Sequence, residues 1–346
     1  MNNKIRALVV DDSPLIRQTF TKLLERDGEI EVVATAGDAY EARDAIVKLR
    51  PDVVTLDIEM PRMNGIQFLK KLIPQFPIPV IVCSSLPINT FEALEAGAVD
   101  YVRKPVITSS ESLNKFGEDL CARVKVAVTA RVIKAGKYVY HVKERKRTAG
   151  EKISAEGKII AIGGSTGATE ALPVVVSQFD ENTPPCVVVL HMPEGFTNLY
   201  AQRLAQNCPG VQVMEAKPGM YVKKGMVVIA AGNKHMRVFR DSSGYFITCD
   251  GGKKVSGHCP SVDVMFESVA QCAKANAFGV ILTGMGADGA KGLASIRSAG
   301  GFTIGQNEES CLVYGMPKVA YSYGGVCVQA SLEDIADIIY NKLKEM

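Results

Sequence analysis

A serine in a glycine-rich turn is the first feature of the sequence that could carry out chemistry. Residues 163–167 read Gly-Gly-Ser-Thr-Gly, which fits G-x-S-x-G, between an apolar run and a helical pattern. Small flanking residues allow a sharp turn that exposes the hydroxyl of Ser165. The amino end of the following helix favours developing negative charge. A phosphate or dinucleotide loop is the alternative, but the spacing misses G-x-G-x-x-G and no acidic residue lies about 20 residues further on.

A nucleophilic serine needs a base, and histidine is the usual one. The chain has four histidines: His141, His191, His235 and His258. His191 directly follows the apolar run 186–190, which places it, like the serine, at the carboxyl end of a strand, so it is the best candidate. A third apolar run, 278–284, leads into Asp288, which could hold the imidazole through a hydrogen bond. The glycine-rich backbone around Met285 could donate an N–H to an oxyanion hole.

A second set of polar residues follows the strands predicted in the first 125 residues. They are Asp11 and Asp12 after the first apolar run, Asp57 near the end of the third, Ser84 at the end of the fourth and Lys104 after the fifth. The carboxyl ends of parallel strands form one crevice, so these side chains should converge. Clustered carboxylates suit Mg²⁺, which would neutralise an incoming phosphoryl group while Asp57 attacks it.

Alternating apolar runs and amphipathic stretches predict the elements that position these residues. In the first 125 residues, five short apolar runs alternate with helical periodicity: 6–10, 31–36, 52–58, 79–85 and 100–105. Five strands, each followed by a helix, imply a doubly wound parallel sheet. We therefore predict an α/β fold that begins with a doubly wound, five-stranded parallel sheet.

From residue 158 the alternation of strands and helices resumes. It predicts a second, doubly wound and mostly parallel α/β domain, which carries the candidate serine, histidine and aspartate. Residues 211–250 differ, because the apolar runs at 226–232, 235–240 and 245–250 are separated by Gly and Asn turns. We interpret these three runs as an antiparallel ribbon, which makes a β-hairpin insertion in the domain.

The segment between the two predicted domains is polar and basic. The formal net charge of the chain is +3, while residues 131–152 hold eight Lys or Arg and two Glu, a net of +6. We predict domains at 1–125 and 158–346, joined by a linker at 126–157. A solvated segment explains the charge most simply, and a docking surface for an acidic partner is the alternative.

Composition and cysteine pattern are those of a cytoplasmic globular protein. Hydrophobic residues make up 47% and charged residues 22%, which is ordinary for soluble domains. The nine cysteines show neither a C-x-x-C pair nor zinc spacing, and their odd number suggests reduced thiols. No charged-then-apolar leader precedes the first strand, and no run reaches the ~18 apolar residues of a membrane span. We expect a cytoplasmic location without membrane insertion.

Three motifs of the first domain resemble the two-component receiver family: VVDDSPLIR, LDIEMPRMNG and the Lys-Pro pair after the fifth strand. The resemblance implies a flavodoxin-like receiver in which Asp11, Asp12 and Asp57 hold Mg²⁺ and Asp57 is the phosphoacceptor. The switch residues that it implies are Ser84, Tyr101 and Lys104.

Motifs of the second domain resemble the CheB family of chemotaxis protein-glutamate methylesterases, many of which also deamidate receptor glutamines. The strings that carry the resemblance are IGGSTGATEALP, HMPEGFTNLYAQRL, HCPSVDVMFESVA, GVILTGMGADGAKGL and QNEESCLVYGMP. The resemblance implies that Ser165 is the nucleophile, His191 the general base and then acid, and Asp288 the residue that orients the histidine. It also implies that Thr166 helps to position the histidine and that the Met285 amide contributes to the oxyanion hole.

The resemblance spans nearly the whole chain, and it implies a phosphorylation-activated hydrolase of chemotaxis signalling. Its substrate would be methyl-accepting chemoreceptors and its phosphodonor a chemotaxis histidine kinase, with no cofactor beyond Mg²⁺ at the receiver. Three rivals stay open: a transcription factor that uses the basic linker on DNA, a dinucleotide-binding oxidoreductase, and an inactive scaffold that carries the triad. Since no helix-turn-helix pattern is present, we expect no nucleic-acid partner.

Overall fold

The structure, a computed structural model, describes most of the chain. The described residues are 4–84, 87–104, 109–130, 132 and 155–346. The chain divides into two compact units, Met1–Val139 and Tyr140–Met346. The linker predicted at 126–157 falls mainly on 133–154, which lies outside the described residues. Within the described ranges, no helix is long and apolar enough to cross a membrane.

Five strands and five helices alternate in the first unit, as the periodicity predicts. The strands are β1 (Ile5–Val10), β2 (Ile30–Ala36), β3 (Val53–Asp57), β4 (Val80–Ser84) and β5 (Asp100–Arg103). The helices are α1 (Pro14–Glu25), α2 (Ala39–Leu49), α3 (Gly65–Leu72), α4 (Pro87–Glu95) and α5 (Ser110–Ala127). All strand pairs are parallel, in the order β2-β1-β3-β4-β5, which confirms the predicted receiver sheet.

Among its described residues, the second unit has ten strands, of which seven form a parallel main sheet and three form a separate antiparallel sheet. Its strands are β6 (Ile159–Gly164), β7 (Cys186–Leu190), β8 (Gln212–Glu215), β9 (Tyr221–Val222), β10 (Met226–Ile229), β11 (His235–Asp241), β12 (Gly244–Asp250), β13 (Ala277–Ile281), β14 (Phe302–Gln306) and β15 (Val328–Ala330). Its helices are α6 (Ala168–Val176), α7 (Phe196–Asn207), α8 (Val262–Ala273), α9 (Ala290–Ser298), α10 (Met316–Ser322) and α11 (Ile335–Glu345), with short 3-10 turns at Lys274–Asn276 and Leu332–Asp334. The sheet order is β15-β14-β13-β6-β7-β10-β8, and it confirms the α/β expectation.

The antiparallel ribbon predicted for 226–250 is right for two of its three runs and wrong for the first. β11 and β12 form a hairpin, and β9 extends it to a separate three-stranded antiparallel sheet. The run at 226–232, however, supplies β10, which pairs in parallel with β7 and β8 in the main sheet. A short apolar run fits either direction, and here its long-range partners decide.

The apolar core of the second unit lies between the main sheet, α8 and the inner face of the hairpin. Met236 and Val238 of β11 and Phe266 of α8 are fully or almost fully buried there. The strands of the sheet read as continuous Val and Ile runs because parallel strands are covered on both faces. This packing fixes α8 beside the carboxyl edge of the sheet, where the polar residues lie.

Candidate active site

Ser165, His191 and Asp288 follow three adjacent strands of the second unit. β6 lies between β7 and β13. Ser165 is the residue after β6, His191 is the residue after β7, and Asp288 lies between β13 and α9. The backbone N–H of His191 donates to the carbonyl of Gly164 at 3.3 Å, so His191 runs beside the serine turn. The carboxyl edge of the sheet thus brings the three sequence positions together.

The turn that carries Ser165 is held by glycines and by β13. A Cβ on Gly164 would lie 2.6 Å from the Cβ of Ala168, which leaves no room for a side chain. Gly167 has a φ of +81°, which L side chains rarely adopt. The Ser165 N–H donates to the carbonyl of Thr283 at 3.0 Å. These constraints fix the serine at the amino end of α6, half-buried at the edge of the sheet.

Asp288 fixes the tautomer of His191. The Nε2 atom of the imidazole lies 2.7 Å from Oδ2 of Asp288, and the side chains are 6% and 1% exposed. Because the carboxylate can only accept, Nε2 must carry the proton, which leaves a lone pair on Nδ1 of the neutral ring. Nδ1 is buried and has no hydrogen-bond partner among the described residues. The nitrogen available as a base is therefore Nδ1.

Asp288 is gripped by the amino end of α8 as well as by the histidine. Its Oδ1 accepts from the hydroxyl of Ser261 at 2.7 Å and from the N–H of Asp263 at 3.1 Å. Its Oδ2 accepts from the N–H of Val262 at 2.8 Å. Burial alone would raise the pKa of Asp288, but the hydrogen bonds from His191, Ser261 and the helix outweigh burial and lower the pKa. The carboxylate is thus a fixed anion that can stabilise an imidazolium.

The grip on Asp288 comes from residues that sequence reasoning did not assign. The signal was present, since Ser261 directly precedes the helical run and is the N-cap of α8.

Asp263 is a second buried carboxyl, which accepts from the N–H of Gly292 at 2.8 Å and from the Ser256 hydroxyl at 3.1 Å. Burial, together with the negative charge of Asp288, raises the pKa of Asp263. The pKa values of these two neighbouring carboxyls are therefore shifted in opposite directions, down for Asp288 and up for Asp263.

The other histidines have different places. His235 is buried, with Nδ1 accepting from the N–H of Ser261 at 3.3 Å and Nε2 donating to the carbonyl of Lys253 at 3.0 Å. Both its nitrogens are used for structure, so it is unsuited to act as the base. The ring of His258 stacks on that of His191. His141 lies outside the described residues.

Thr283, which follows β13, links the serine turn to the loop between β14 and α10 through hydrogen bonds. Its hydroxyl lies 3.1 Å from the carbonyl of Thr166 and accepts from the N–H of Val313 at 2.9 Å. Its N–H donates to Oε1 of Gln306 at 2.8 Å, and both side chains are fully buried. Thr166 itself is buried beside Ser165, whereas the Met285 side chain is 43% exposed in the turn after β13. The positioning role of Thr166 and the oxyanion role of the Met285 amide stay predictions.

The first unit brings its predicted polar residues together at the carboxyl edge of the receiver sheet. Carboxylate oxygens of Asp11, Asp12 and Asp57 lie within 4.8 Å of one another. The ammonium of Lys104 is 2.7 Å from Oδ2 of Asp11 and 2.9 Å from Oδ2 of Asp57. Ser84, at the end of β4, and Tyr101, in β5, are also buried.

The described ion pairs of the receiver cluster join one ammonium, that of Lys104, to two of its three carboxylates. The Arg17 guanidinium lies beside them, since its Nη1 donates to the backbone carbonyls of Asp11 and Asp12. Burial raises the pKa of Asp11, and the charge of Asp57 adds to this effect against the pull of Lys104. The ion pairs with Asp11 and Asp57 outweigh burial and raise the pKa of Lys104. A cluster of hard oxygen donors fits a divalent cation such as Mg²⁺.

Comparison with known proteins identifies the family. The model of the response regulator receiver domain matches residues 7–115, and the model of CheB methylesterase matches residues 160–339. The chain belongs to the CheB methylesterase family. It is 48% identical to the protein-glutamate methylesterase/protein-glutamine glutaminase 2 of Syntrophomonas wolfei, over 99% of each chain.

Further CheB methylesterases and a solved structure agree with this assignment. The chain is 44% identical to the protein-glutamate methylesterase/protein-glutamine glutaminase of Salmonella typhimurium, over 99% of this chain and 97% of that one. The crystal structure of the Thermotoga maritima CheB methylesterase catalytic domain is 36% identical, with a TM-score of 0.52, and covers 55% of this chain and 98% of that chain. The second unit therefore has the fold of a CheB methylesterase catalytic domain.

Proposed function

We propose that this methylesterase hydrolyses glutamyl methyl esters of chemoreceptors, and deamidates receptor glutamines, through Ser165, His191 and Asp288. The observation that carries the proposal is the 2.7 Å contact between His191 Nε2 and Asp288 beside the serine turn. It leaves Nδ1 as the free basic atom. A base with a fixed tautomer in the segment beside a serine turn can provide the arrangement that acyl transfer requires.

The reaction follows from these atoms. Nδ1 of His191 accepts the proton of the Ser165 hydroxyl as Oγ attacks the ester carbonyl. The imidazolium, stabilised by Asp288, then returns the proton to the leaving methoxide, and methanol departs from the acyl-enzyme. Water enters by the same base catalysis and releases the glutamate. Thr166 helps to hold the histidine, and the Met285 N–H donates to the oxyanion.

The receiver controls the rate of this hydrolase in the proposal. Asp57 accepts a phosphoryl group from a chemotaxis histidine kinase, and Asp11, Asp12 and Asp57 would hold Mg²⁺, which would supply positive charge to offset the phosphoryl oxygens. Lys104 pairs with the new anion, since it already contacts Asp57 at 2.9 Å. Phosphorylation adds roughly −1.5 to −2 charge, and the switch residues rearrange around it: Ser84, Tyr101 and Lys104. We place the protein in the cytoplasm.

The experiment that tests the proposal is methanol release from methylated receptor membranes. The intact chain should release methanol, and release should rise when a small phosphodonor and Mg²⁺ are added. Ser165→Ala should release methanol no faster than membranes alone while its thermal unfolding resembles that of the wild type. Methanol release by Ser165→Ala at the wild-type rate would overturn the assignment of the nucleophile.

A further inference from the structure

The rings of His191 and His258 lie face to face. Their centroids are 3.6 Å apart and their planes differ by 6°. These centroids are closer than the roughly 4.5–7 Å that separates the ring centroids of most aromatic pairs. It covers one face of the ring that the proposed reaction uses as its base, while the ring edges, where the nitrogens lie, are left to other contacts.

His191 needs such a contact because its hydrogen bonding does not fix its plane. Nε2 is held by Asp288, but Nδ1 has no hydrogen-bond partner in the described part of the chain. One hydrogen bond at a ring edge fixes the position of Nε2 and leaves the ring able to swing about that contact, because the outer torsion of histidine is broad. A planar group packed on the face of the ring opposes this swing.

His258 is itself held firmly. Val255 and His258 exchange two backbone hydrogen bonds, of 3.0 and 2.9 Å. The two residues between them, Ser256 and Gly257, have φ values of +52° and +85°, as in a two-residue type I′ hairpin turn. The Ser256 hydroxyl donates to Asp263 at 3.1 Å. The turn is thus anchored to the first turn of α8, the helix that also grips Asp288.

We propose that His258 is a positioning residue for the proposed base: its ring packs on the face of the His191 imidazole and restricts the plane of that ring, so that Nδ1 can reach the Ser165 hydroxyl when substrate is bound. The proposal rests on the triad mechanism above. In this proposal, α8 fixes both the position of Nε2 and the plane of the His191 ring. Its amino end fixes Asp288 and so the position of Nε2, and the turn anchored on Asp263 fixes the plane of the ring.

The test uses the intact chain and the rate of methanol release at several concentrations of methylated receptor membranes. His258→Ala should lower kcat by about 10- to 100-fold, the size of effect that a misplaced catalytic group produces, with little change in KM. His258→Phe keeps a planar ring and should recover most of the lost kcat. His258→Leu has a bulky side chain without a planar face, so it should stay near the Ala variant.

The outcomes separate positioning from other roles. Full kcat in His258→Ala would overturn the proposal, and so would a loss carried by KM alone, which would make His258 a substrate contact. A Phe variant no better than the Leu variant would show that the ring plane is not what matters. If thermal unfolding shows that His258→Ala does not fold, the comparison of Phe with Leu decides.

Ser165→Ala and His191→Ala in the same assay keep this proposal distinct from the proposed function. If either retains wild-type activity, the triad itself is wrong. If both are inactive while His258→Ala keeps its full kcat, the triad stands and the positioning role of His258 alone is wrong.

Discussion

The two units each place a buried carboxylate at the carboxyl edge of a parallel sheet, yet the two carboxylates differ in their protein partners. Asp288 receives four hydrogen bonds, which lower its pKa. Asp11 receives the Ser13 N–H at 3.0 Å and the Lys104 ammonium, and its pKa is raised by burial and by Asp57. Carboxylates at similar places in the two sheets therefore have pKa values shifted in opposite directions.

The difference shows how each site is prepared for its proposed chemistry. Donors fixed by α8 stabilise the anionic form of Asp288 in advance, so it can orient His191 and stabilise its cationic form without reorganisation. The receiver cluster gathers three carboxylates whose oxygens suit a divalent cation. In the proposal, the hydrolase needs no added ion, whereas the receiver responds to the cation and the phosphoryl group that it binds. The following predictions test this contrast, beginning with the largest expected effect.

Removal of the base should abolish the reaction. We expect His191→Ala to lower kcat by a factor on the order of 10⁶, because loss of a triad base costs about as much as loss of the whole triad. The comparison is the initial rate of methanol release against that of the intact wild-type chain. If the kcat of the variant stays within about tenfold of the wild-type value, the base is a different residue, and His258 would be tested next.

Neutralising the two adjacent carboxyls of the hydrolase should have unequal effects. Asp288→Asn should lower kcat by roughly 10⁴, because an amide can no longer hold the histidine tautomer. Asp263→Asn is the matched control, since Asp263 does not contact the imidazole through its side chain, and its loss of kcat should be far smaller. Equal losses in the two variants would contradict the role assigned to Asp288.

In the receiver, Asp57→Asn should change the response rather than the basal rate. With a small phosphodonor and Mg²⁺, the wild type should accelerate by tens of fold, which a shift of a few kcal/mol in a two-state equilibrium produces. The variant should show its basal rate and no acceleration. Asp44→Asn, at an exposed position on α2, is the control and should respond as the wild type does. A response in Asp57→Asn would place the phosphoacceptor elsewhere.

The half-buried carboxyl of Glu170 tests whether hydrogen-bond donors, rather than burial, decide the direction of a pKa shift. Burial raises the pKa of Glu170, in the first turn of α6, to about 7. The unfolded chain loses this proton near pH 4.5 and the folded chain only near 7. The wild type should therefore lose stability as pH rises through this window, by about 1–3 kcal/mol.

Glu170→Gln cannot ionise, so its free energy of unfolding should lack this decline. Urea unfolding at pH 5 and pH 8 measures the difference between variant and wild type. The variant should gain relative stability at pH 8 and little at pH 5. An equal difference at the two pH values would show that Glu170 is ionised in the folded chain.

Much of the fold and of the candidate site follows from local sequence. Apolar runs ending in Asp57, Ser165 or His191 mark strand ends, and parallel topology alone brings strand ends together. The direction of β10 was not predictable, because its short run 226–232 has no local feature that distinguishes parallel from antiparallel pairing. Its pairing with β7 joins segments separated by α7, β8 and β9, so it is not a local feature.

Contacts made across loops were also beyond local reasoning. Nothing in the spacing of His191 and His258 indicates that their rings stack, since this depends on a turn near α8 packing beside β7. The N-cap signal of Ser261 was readable, but its second task, donation to Asp288, needs the two elements to be placed in three dimensions. The predicted linker and the domain boundaries stay predictions.

The most direct test of the central claim, that His191 activates Ser165, is covalent labelling with an organofluorophosphonate, which reacts with serine hydroxyls activated by a base. Peptide mass spectrometry of the labelled intact chain should find the phosphonyl group on Ser165. Labelling should be absent in Ser165→Ala and nearly absent in His191→Ala. A label on a different residue, or undiminished labelling of Ser165 in His191→Ala, would contradict the account.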